Sequence, residues 1–173
     1  MYGEIITIGD ELTSGRTVDL NSWYAAGRLT ASGLGVTRVT SVGDDDRMVS
    51  KVLKRASASS RFVIVTGGLG PTEDDMTCEI AAHALNLPLR LDAHMLKKIE
   101  DYVALRGMKM TPFLEKMAYM PEGSRVLNPE GDTCGFFLEA NDVRFYFRPG
   151  VSEQSRHLMD TVVLSELLRL YEA

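Results

Sequence analysis

The sequence predicts an α/β fold that contains a mostly parallel sheet and one antiparallel edge. Short apolar runs alternate with helical patterns, and this alternation is typical of right-handed βαβ units. Two runs, Glu4–Ile8 and Val63–Thr66, are almost continuously apolar, so we expect them to be neighbouring interior strands covered on both faces. Near the end of the chain, Asn141-Asp142 separates two further strand patterns and predicts the hairpin that supplies the antiparallel edge.

The first half of the chain is predicted to contain three strands: Glu4–Ile8, Val36–Val42 and Phe62–Thr66. Asp19 or Asn21 begins the helix between the first two, and Gly33 ends it. We interpret Trp23 and Tyr24 of this helix as core residues rather than as a platform on which a ligand stacks. The helix after the second strand is expected to place five apolar side chains on one face: Met48, Val49, Val52, Leu53 and Ala56.

The second half predicts shorter elements. A short edge strand lies within Leu85–Leu91, Asp92 or Ala93 opens a helix, and Pro112 is suited to the first turn of a brief helix. Ser152 is expected to cap the closing helix. Three strands are predicted between these helices: Arg125–Leu127, Gly135–Glu139 and Arg144–Phe147.

The composition excludes several classes of protein. The 173 residues fit one domain, spanning residues 1–173, and 45% of them are hydrophobic, which argues against disorder. Because 24 acidic residues outweigh 19 basic ones, we expect neither nucleic acid nor membrane as a partner. The N-terminus lacks the features of a signal peptide. Cys78 and Cys134 are too few to staple the fold, so we expect reduced thiols in the cytoplasm.

The most distinctive stretch is Val63–Thr77, which reads V-I-V-T-G-G-L-G-P-T-E-D-D-M-T. Glycines let the backbone approach a ligand closely, and a helix beginning at Thr72 would offer unpaired N–H groups to an anion. In the alternative interpretation, Thr72 caps that helix and Asp75 reaches back to it without any ligand. If the loop binds a ligand, valine at Gly68 or Gly70 should abolish binding and leave the fold largely intact.

Acidic residues follow all three strands of the first half: Asp10 and Glu11, then Asp44 to Asp46, then Glu73 to Asp75. Ligands of open α/β sheets bind beyond the carboxyl ends of the strands, so we expect Asp10, Asp44 and Asp74 to converge on one cleft. The preference of helix N-termini for carboxylates explains the second and third groups, but it explains Asp10 and Glu11 poorly. Converging carboxylates would need a divalent cation, a polar heterocycle that donates N–H groups, or both.

Four segments form an ordered set in the first half of the chain: G-D-E-L-T-S-G at Gly9–Gly15, D-L-N-S at Asp19–Ser22, V-G-D-D at Val42–Asp45 and G-G-L-G-P-T-E-D-D-M-T at Gly67–Thr77. Together they resemble the N-terminal domain of CinA, the competence/damage-inducible protein, which is similar to the MogA/MoaB molybdopterin-binding fold. The resemblance covers nearly the whole chain and implies a three-layer, doubly wound α/β sandwich. Full-length CinA carries a further C-terminal amidase domain, for which this chain has no room.

Strand-end position and this resemblance together nominate the site residues. Asp74 and Asp75 would be the catalytic acids. A divalent metal, Mg²⁺ or Mn²⁺, would be held by Asp10, Asp44 and Asp74. The expected ligand-binding residues are Gly9, Asp10, Glu11, Asn21, Asp44, Gly67, Gly68, Gly70, Pro71, Thr72, Pro149 and Gly150.

The second half departs from the family pattern. Leu114–Ala118 reads L-E-K-M-A where the family usually has N-x-x-Q-A, and Gly131–Gly135 reads G-D-T-C-G where it has G-T-A-P-G. Arg148–Gln154 reads R-P-G-V-S-E-Q where it has L-P-G-V-P-x-E. The lost amide side chains could remove substrate hydrogen bonds. Arg148 could add a contact to phosphate, or it could simply be exposed.

Three functions follow from the resemblance. MogA-type members bind molybdopterin and adenylylate it, whereas CinA-type members resemble metal-dependent hydrolases that split the pyrophosphate of ADP-ribose. We therefore consider a nucleotide diphosphate hydrolase, a non-catalytic molybdopterin binder, and an interaction module that retains only the fold. In each ligand-binding case we expect a small-molecule partner, and we expect the chain to form a homo-oligomer.

Overall fold

The structure is a computed structural model that describes residues 1–131 and 134–171. Its main sheet has six strands in the order β2-β1-β3-β8-β7-β6. Their bounds are β1 Tyr2–Ile8, β2 Gly35–Val42, β3 Phe62–Thr66, β6 Arg125–Val126, β7 Phe136–Ala140 and β8 Val143–Arg148. The pairs β1–β2, β1–β3 and β3–β8 are parallel, and the pairs β7–β8 and β6–β7 are antiparallel. The predicted mostly parallel sheet with interior β1 and β3 and an antiparallel edge is confirmed.

The helices are α1 Asp10–Thr13, α2 Leu20–Ala31, α3 Asp46–Ser59, α4 Thr77–Ala84, α5 Ala93–Leu105, α6 Pro112–Lys116, α7 Ser152–Leu158 and α8 Leu164–Tyr171. A π-helical turn, Met159–Val163, joins α7 to α8. The short strand predicted within residues 85–91 is β4, Leu89–Leu91, which pairs with β5, Tyr119–Pro121, in a separate two-stranded sheet. This small sheet carries α5 and α6 between its strands.

Alternating side chains of the interior strands supply two cores, one on each face of the sheet. One core combines Ile6, Val65 and Phe147 with residues of α3, α4 and α5. The other combines Ile5, Ile64 and Tyr146 with residues of α2, α7 and α8. The result is the expected helix–sheet–helix sandwich, in which the carboxyl ends of β1, β2, β3 and β8 share one edge.

Side-chain caps fix where several helices begin. Asp19 accepts a hydrogen bond from the Ser22 amide at the start of α2, and Asp45 accepts one from the Met48 amide at the start of α3. The predicted cap of the closing helix is wrong, because Ser152 is already the first residue of α7 and no side chain caps that end.

Two residues interpreted as core are exposed instead. Trp23 is 68% exposed, because α2 turns Ser22, Ala25 and Leu29 toward the sheet and leaves position 23 on the outer face. Met48 is 48% exposed at the start of α3. The single tryptophan therefore lies at the surface, two positions from Asn21.

Candidate functional site

The loops that follow β1, β2, β3 and β8 meet at the carboxyl edge of the sheet. The Gly9 amide donates to the Val42 carbonyl oxygen at 3.0 Å, and the Gly67 amide donates to the Arg148 carbonyl oxygen at 3.1 Å. Asn21 of α2 donates through Nδ2 to the Gly150 carbonyl oxygen at 2.9 Å. The Oδ1 atom of the same Asn21 is buried and has no hydrogen-bond partner among the described residues. Residues from five segments thus share one small region.

Asp10 and Asp44 form a reciprocal pair at this edge. The Asp10 amide donates to Asp44 Oδ2 at 3.1 Å, and the Asp44 amide donates to Asp10 Oδ1 at 2.8 Å. Partial burial raises the pKa of the Asp44 carboxyl, and the negative charges of Asp10, Glu11 and Asp74 raise it further, against the lowering effect of the Asp10 amide. These acids are therefore close enough to repel one another.

This arrangement is not a preformed metal centre. Within residues 1–131 and 134–171, no three acidic, histidine or cysteine side chains are grouped so that they could hold a metal ion. The expected set of Asp10, Asp44 and Asp74 does not fit a metal without further ligands. Asp10 and Asp44 each accept a hydrogen bond from the other's backbone amide, which leaves part of each carboxylate able to accept from a ligand.

The glycine loop differs from the sequence prediction in where its helix begins. Helix α4 starts at Thr77 and not at Thr72. Asp75 does reach back, since its Oδ2 atom accepts from the Thr72 amide at 3.1 Å and from Thr72 Oγ1 at 2.6 Å, but this contact closes a turn that precedes the helix. Asp74 therefore lies outside the first turn of α4, and the helix dipole does not explain its presence.

The loop glycines are required by the protein's own packing. A Cβ atom on Gly67 would lie 2.2 Å from the Ile8 carbonyl oxygen, and one on Gly68 would lie 1.9 Å from Thr77 Oγ1. Both residues also have a positive φ. The expectation that valine at Gly68 leaves the fold intact is therefore wrong. At Gly70 the added atom would meet only the Asp75 carboxylate, at 2.6 Å, and that side chain can move.

Lys116 of α6 contacts the turn between Thr72 and Asp75, which we call the acidic turn. Its Nζ atom donates to the carbonyl oxygens of Thr72 and Asp75, both at 2.6 Å. The sequence motif L-E-K-M-A drew attention only to the amide side chains it lacks. No local pattern indicates that its lysine reaches a loop more than 40 positions earlier in the chain.

Arg148 is buried beneath the same loops, with 1% of its surface exposed. It donates to the Ser155 carbonyl oxygen at 3.0 Å and to Thr66 Oγ1 at 3.1 Å, while its Nε atom has no partner in the described part of the chain. Burial lowers the pKa of its guanidinium to about 10. The alternative that Arg148 is exposed is wrong.

A cavity of about 860 Å³ lies next to the glycine loop. His94 and Lys98 of helix α5 and Arg106, which follows the helix, supply one wall, and Gln154 of α7 supplies another. Cys134 also lines it and lies 3.8 Å from the Leu69 carbonyl oxygen, so the cavity adjoins the loop. Two residues of the segment Gly131–Gly135, Asp132 and Thr133, are outside the described residues.

Residues 4–169 match the sequence profile of a family described as the probable molybdopterin binding domain. The chain belongs to this family. Protein PH0439 of Pyrococcus horikoshii is 39% identical over 96% of the chain and 69% of its own length. A CinA-like protein of Myxococcus xanthus is 37% identical over the whole chain, which spans only 41% of that relative.

Solved structures agree with the family. CinA from Thermoplasma acidophilum, described as a protein with unknown function, superposes with a TM-score of 0.86 at 31% identity, covering 97% of this chain and 99% of that one. MoaB from Thermus thermophilus, a molybdopterin biosynthesis enzyme, gives a TM-score of 0.64 at 19% identity, covering 98% and 92% of the two chains, and shows the shared fold alone.

In this molybdopterin-binding-family domain, the remaining residues nominated from the sequence lie on the same four loops. Gly9 and Glu11 flank Asp10, Pro71 follows Gly70, and Pro149 precedes Gly150. Gly9 and Pro149 are buried, whereas Glu11 and Pro71 are exposed. Sequence reasoning missed His94 and Lys98 of α5 and the following Arg106, because their spacing is typical of any solvated helix face. The described helices include none with the length and apolar character of a membrane span.

Proposed function

We propose that the domain binds one small ligand that combines a polar heterocycle with phosphate, either a pterin or a nucleotide diphosphate. The observation that carries the proposal is that an acidic pair and a cavity of about 860 Å³ both lie near the glycine loop. Cavities of roughly 300–1,000 Å³ accommodate ligands of this size. Pro71, Thr72, Pro149 and Gly150 would border the ligand from the intervening loops.

The acidic pair would recognise the heterocycle. A carboxylate accepts two parallel N–H bonds from a planar amidine or guanidine edge, such as the edge of a pterin ring. Asp44 is suited to this role because burial and the neighbouring acids destabilise its negative charge. An N–H donor from the ligand would stabilise that charge. The unpartnered Oδ1 atom of Asn21 is a further acceptor in the same region.

The cavity wall on α5 would hold phosphate. Lys97 forms an ion pair with Asp101, while Lys98 donates to the Asn128 carbonyl oxygen at 3.1 Å, which holds its ammonium group against the segment before the cavity. Arg106 stacks over Tyr102 at 4.3 Å from the ring centre. Ammonium and guanidinium groups are the usual side-chain partners of phosphate.

A nucleotide diphosphate hydrolase is the second candidate, and the crowding of Asp10, Asp44 and Asp74 favours it, since a cation would relieve their repulsion. Water oxygen would bond to one phosphorus of ADP-ribose, the bridging P–O bond would break, and AMP and ribose 5-phosphate would leave. Asp74 is the acid we assign to this reaction. Within the described residues the protein side chains do not form a metal site by themselves, so a cation would take its remaining ligands from phosphate and water.

The test of binding uses Trp23, the only tryptophan, as a fluorescent reporter close to Asn21. A pterin, FAD, ADP-ribose and ATP are titrated with and without Mg²⁺ or Mn²⁺, and unfolding is followed in parallel. A ligand at 100 times its Kd should stabilise the protein by about 2.7 kcal/mol. Asp44→Asn should lower the affinity for the ligand by about 10-fold or more, whereas Asp142→Asn in the hairpin turn should leave the affinity unchanged.

If none of these ligands binds, the third hypothesis remains, in which the domain is an interaction module that keeps only the fold. Hydrolysis is tested separately by measuring AMP release from ADP-ribose. If Asp74→Asn lowers kcat and leaves affinity unchanged, the domain is an enzyme; if it lowers affinity alone, the domain is a binder. Self-association stays a prediction, which sedimentation equilibrium would check.

A further inference from the structure

A second cavity, of about 360 Å³, lies far from the carboxyl edge of the sheet. Arg144 and Tyr146 of β8 line it together with residues of β6, β7 and α8. Arg144 pairs with Phe62, the first residue of β3, whereas Arg148, at the opposite end of β8, lies beneath the loops of the site described above. The two cavities share no lining residue.

The lining of this cavity carries an excess of positive charge. Among the described residues, it contains Arg125, Arg144 and Arg169 but a single carboxylate, Glu166. Arg125 neutralises that carboxylate, since its Nη2 atom lies 2.9 Å from both Glu166 oxygens. The one described carboxylate that Arg144 contacts is the half-exposed Glu139, at a long distance of 3.6 Å. Arg169 donates to the Ser165 carbonyl oxygen at 3.3 Å, and no carboxylate partner is described for it within residues 1–131 and 134–171.

The apolar part of the lining is aromatic. The rings of Phe137 and Tyr146 lie 5.2 Å apart, Arg125 covers the Phe137 ring at 4.9 Å, and Leu170 of α8 completes the wall. A volume of 360 Å³ is at the lower end of the range for small-molecule sites. The cavity is therefore suited to a body no larger than one aromatic ring with its acidic group.

Tyr146 provides an independent indication of a ligand. The residue is completely buried, yet its hydroxyl has no hydrogen-bond partner in the described part of the chain. Burial raises the pKa of Tyr146, and Glu166 raises it further through its charge and through an approach of its carboxylate to the hydroxyl that falls short of hydrogen-bond geometry. The hydroxyl therefore keeps its proton and remains a donor. Because Arg125 already donates to both oxygens of Glu166, an acidic oxygen in the cavity would offer this buried donor a better acceptor.

We infer that this cavity is a second binding site, which takes a small organic anion with an apolar body, such as an aromatic carboxylate or phosphate ester. The acidic group would lie between Arg144, Arg169 and the Tyr146 hydroxyl, and the apolar body would contact Phe137 and Leu170. This site does not depend on the function proposed for the carboxyl edge.

Three probes separate the two halves of the inferred ligand: phenyl phosphate, inorganic phosphate and benzyl alcohol. At constant ionic strength, phenyl phosphate should raise the Tm saturably, and each of the other two should need a concentration about 10-fold higher or more, because it makes only half of the contacts. Trp23 fluorescence should not change, since Trp23 lies on α2 beside the other site. Equal responses to all three probes would overturn the inference.

Variants identify the place of binding. Arg169→Gln should weaken phenyl phosphate by about 10-fold, whereas Arg38→Gln, which removes the same charge from exposed β2, should leave it unchanged. Tyr146→Phe should also weaken the binding of phenyl phosphate, because it removes one of the three groups that contact the acidic end of the ligand. Equal weakening by the two arginine variants, or unchanged affinity of Tyr146→Phe for phenyl phosphate, would contradict the inference. A dimer that Arg169→Gln dissociates would also contradict it, because the cavity would then be a contact between copies.

Discussion

Two carboxylates at opposite ends of the same sheet have opposite electrostatic surroundings. Glu4, in the first half of β1, is 3% exposed and accepts hydrogen bonds from Arg55, Ser59 and Ser60 at 2.8–2.9 Å. Burial alone would raise the pKa of Glu4, but these three donors outweigh it and lower the pKa. At the carboxyl end, burial and three neighbouring acids raise the pKa of Asp44.

The difference indicates which end stabilises the fold. The protein supplies Glu4 with a cation and two hydroxyl groups, so its charge is favourable in the folded state. Asp44 receives one backbone amide and faces other negative charges, so its charge opposes folding. We infer that the carboxyl end retains this cost because a ligand relieves it, as strained or unsatisfied groups often occur at functional sites.

The largest effect is expected at the amino end. Glu4→Gln should lower the free energy of unfolding by about 1.5–3 kcal/mol, because it removes the charge that Arg55 and two serines stabilise. Urea denaturation measures the change. The matched control is Glu139→Gln, whose contact to Arg144 is 3.6 Å long and largely exposed, and it should cost about 0–1 kcal/mol. Equal losses would show that burial does not distinguish the two ion pairs.

The pH dependence of stability should separate the two ends. Glu4 has a pKa below its ordinary 4.5, so its contribution is present above that value and is lost as the pH falls through the folded-state pKa. Asp44 has a pKa above its ordinary 3.8, so its contribution is present below 3.8 and is lost as the pH rises through the folded-state pKa.

Urea midpoints between about pH 3 and pH 6 should therefore respond to the two variants in opposite ways. Glu4→Gln should reduce the loss of stability on acidification. Asp44→Asn should remove the loss that accompanies rising pH. If both variants changed the profile in the same direction, the contrast between the two ends would be wrong.

Sequence reasoning was most successful where a local pattern and the topology together determine position. Apolar runs identified β1 and β3 as neighbouring interior strands, and the rule that parallel strands end at one edge brought Asp10 and Asp44 together. It failed for Trp23, because a helical pattern tolerates an apolar residue on either face. It also missed the cavity on α5 and the lysine of α6, because a separate small sheet positions both helices.

A smaller effect is expected at the acidic turn. Lys116→Met should free the carbonyl oxygens of Thr72 and Asp75, cost about 0.5–1.5 kcal/mol and speed hydrogen exchange of the Asp75 amide, which donates to Thr72 at 3.2 Å. Lys51→Met on the exposed face of α3 is the charge-matched control. Unchanged exchange at Asp75 would show that the turn holds its shape without the lysine.

The smallest expected change in stability is that of Asp44→Asn, and its sign tests the comparison most directly. Asp44→Asn should raise the stability of the unliganded protein by about 0.5 kcal/mol or less, since the side chain is largely solvated and its repulsion is screened. The asparagine oxygen can still accept from the Asp10 amide, so the contact between the two loops is kept. Because the chain carries a formal charge of −5, loss of any acidic charge could help, and Asp142→Asn measures that general contribution. A gain at position 44 beyond that of Asp142→Asn supports a local cost at the carboxyl end, whereas a loss of stability would make Asp44 a structural carboxylate like Glu4.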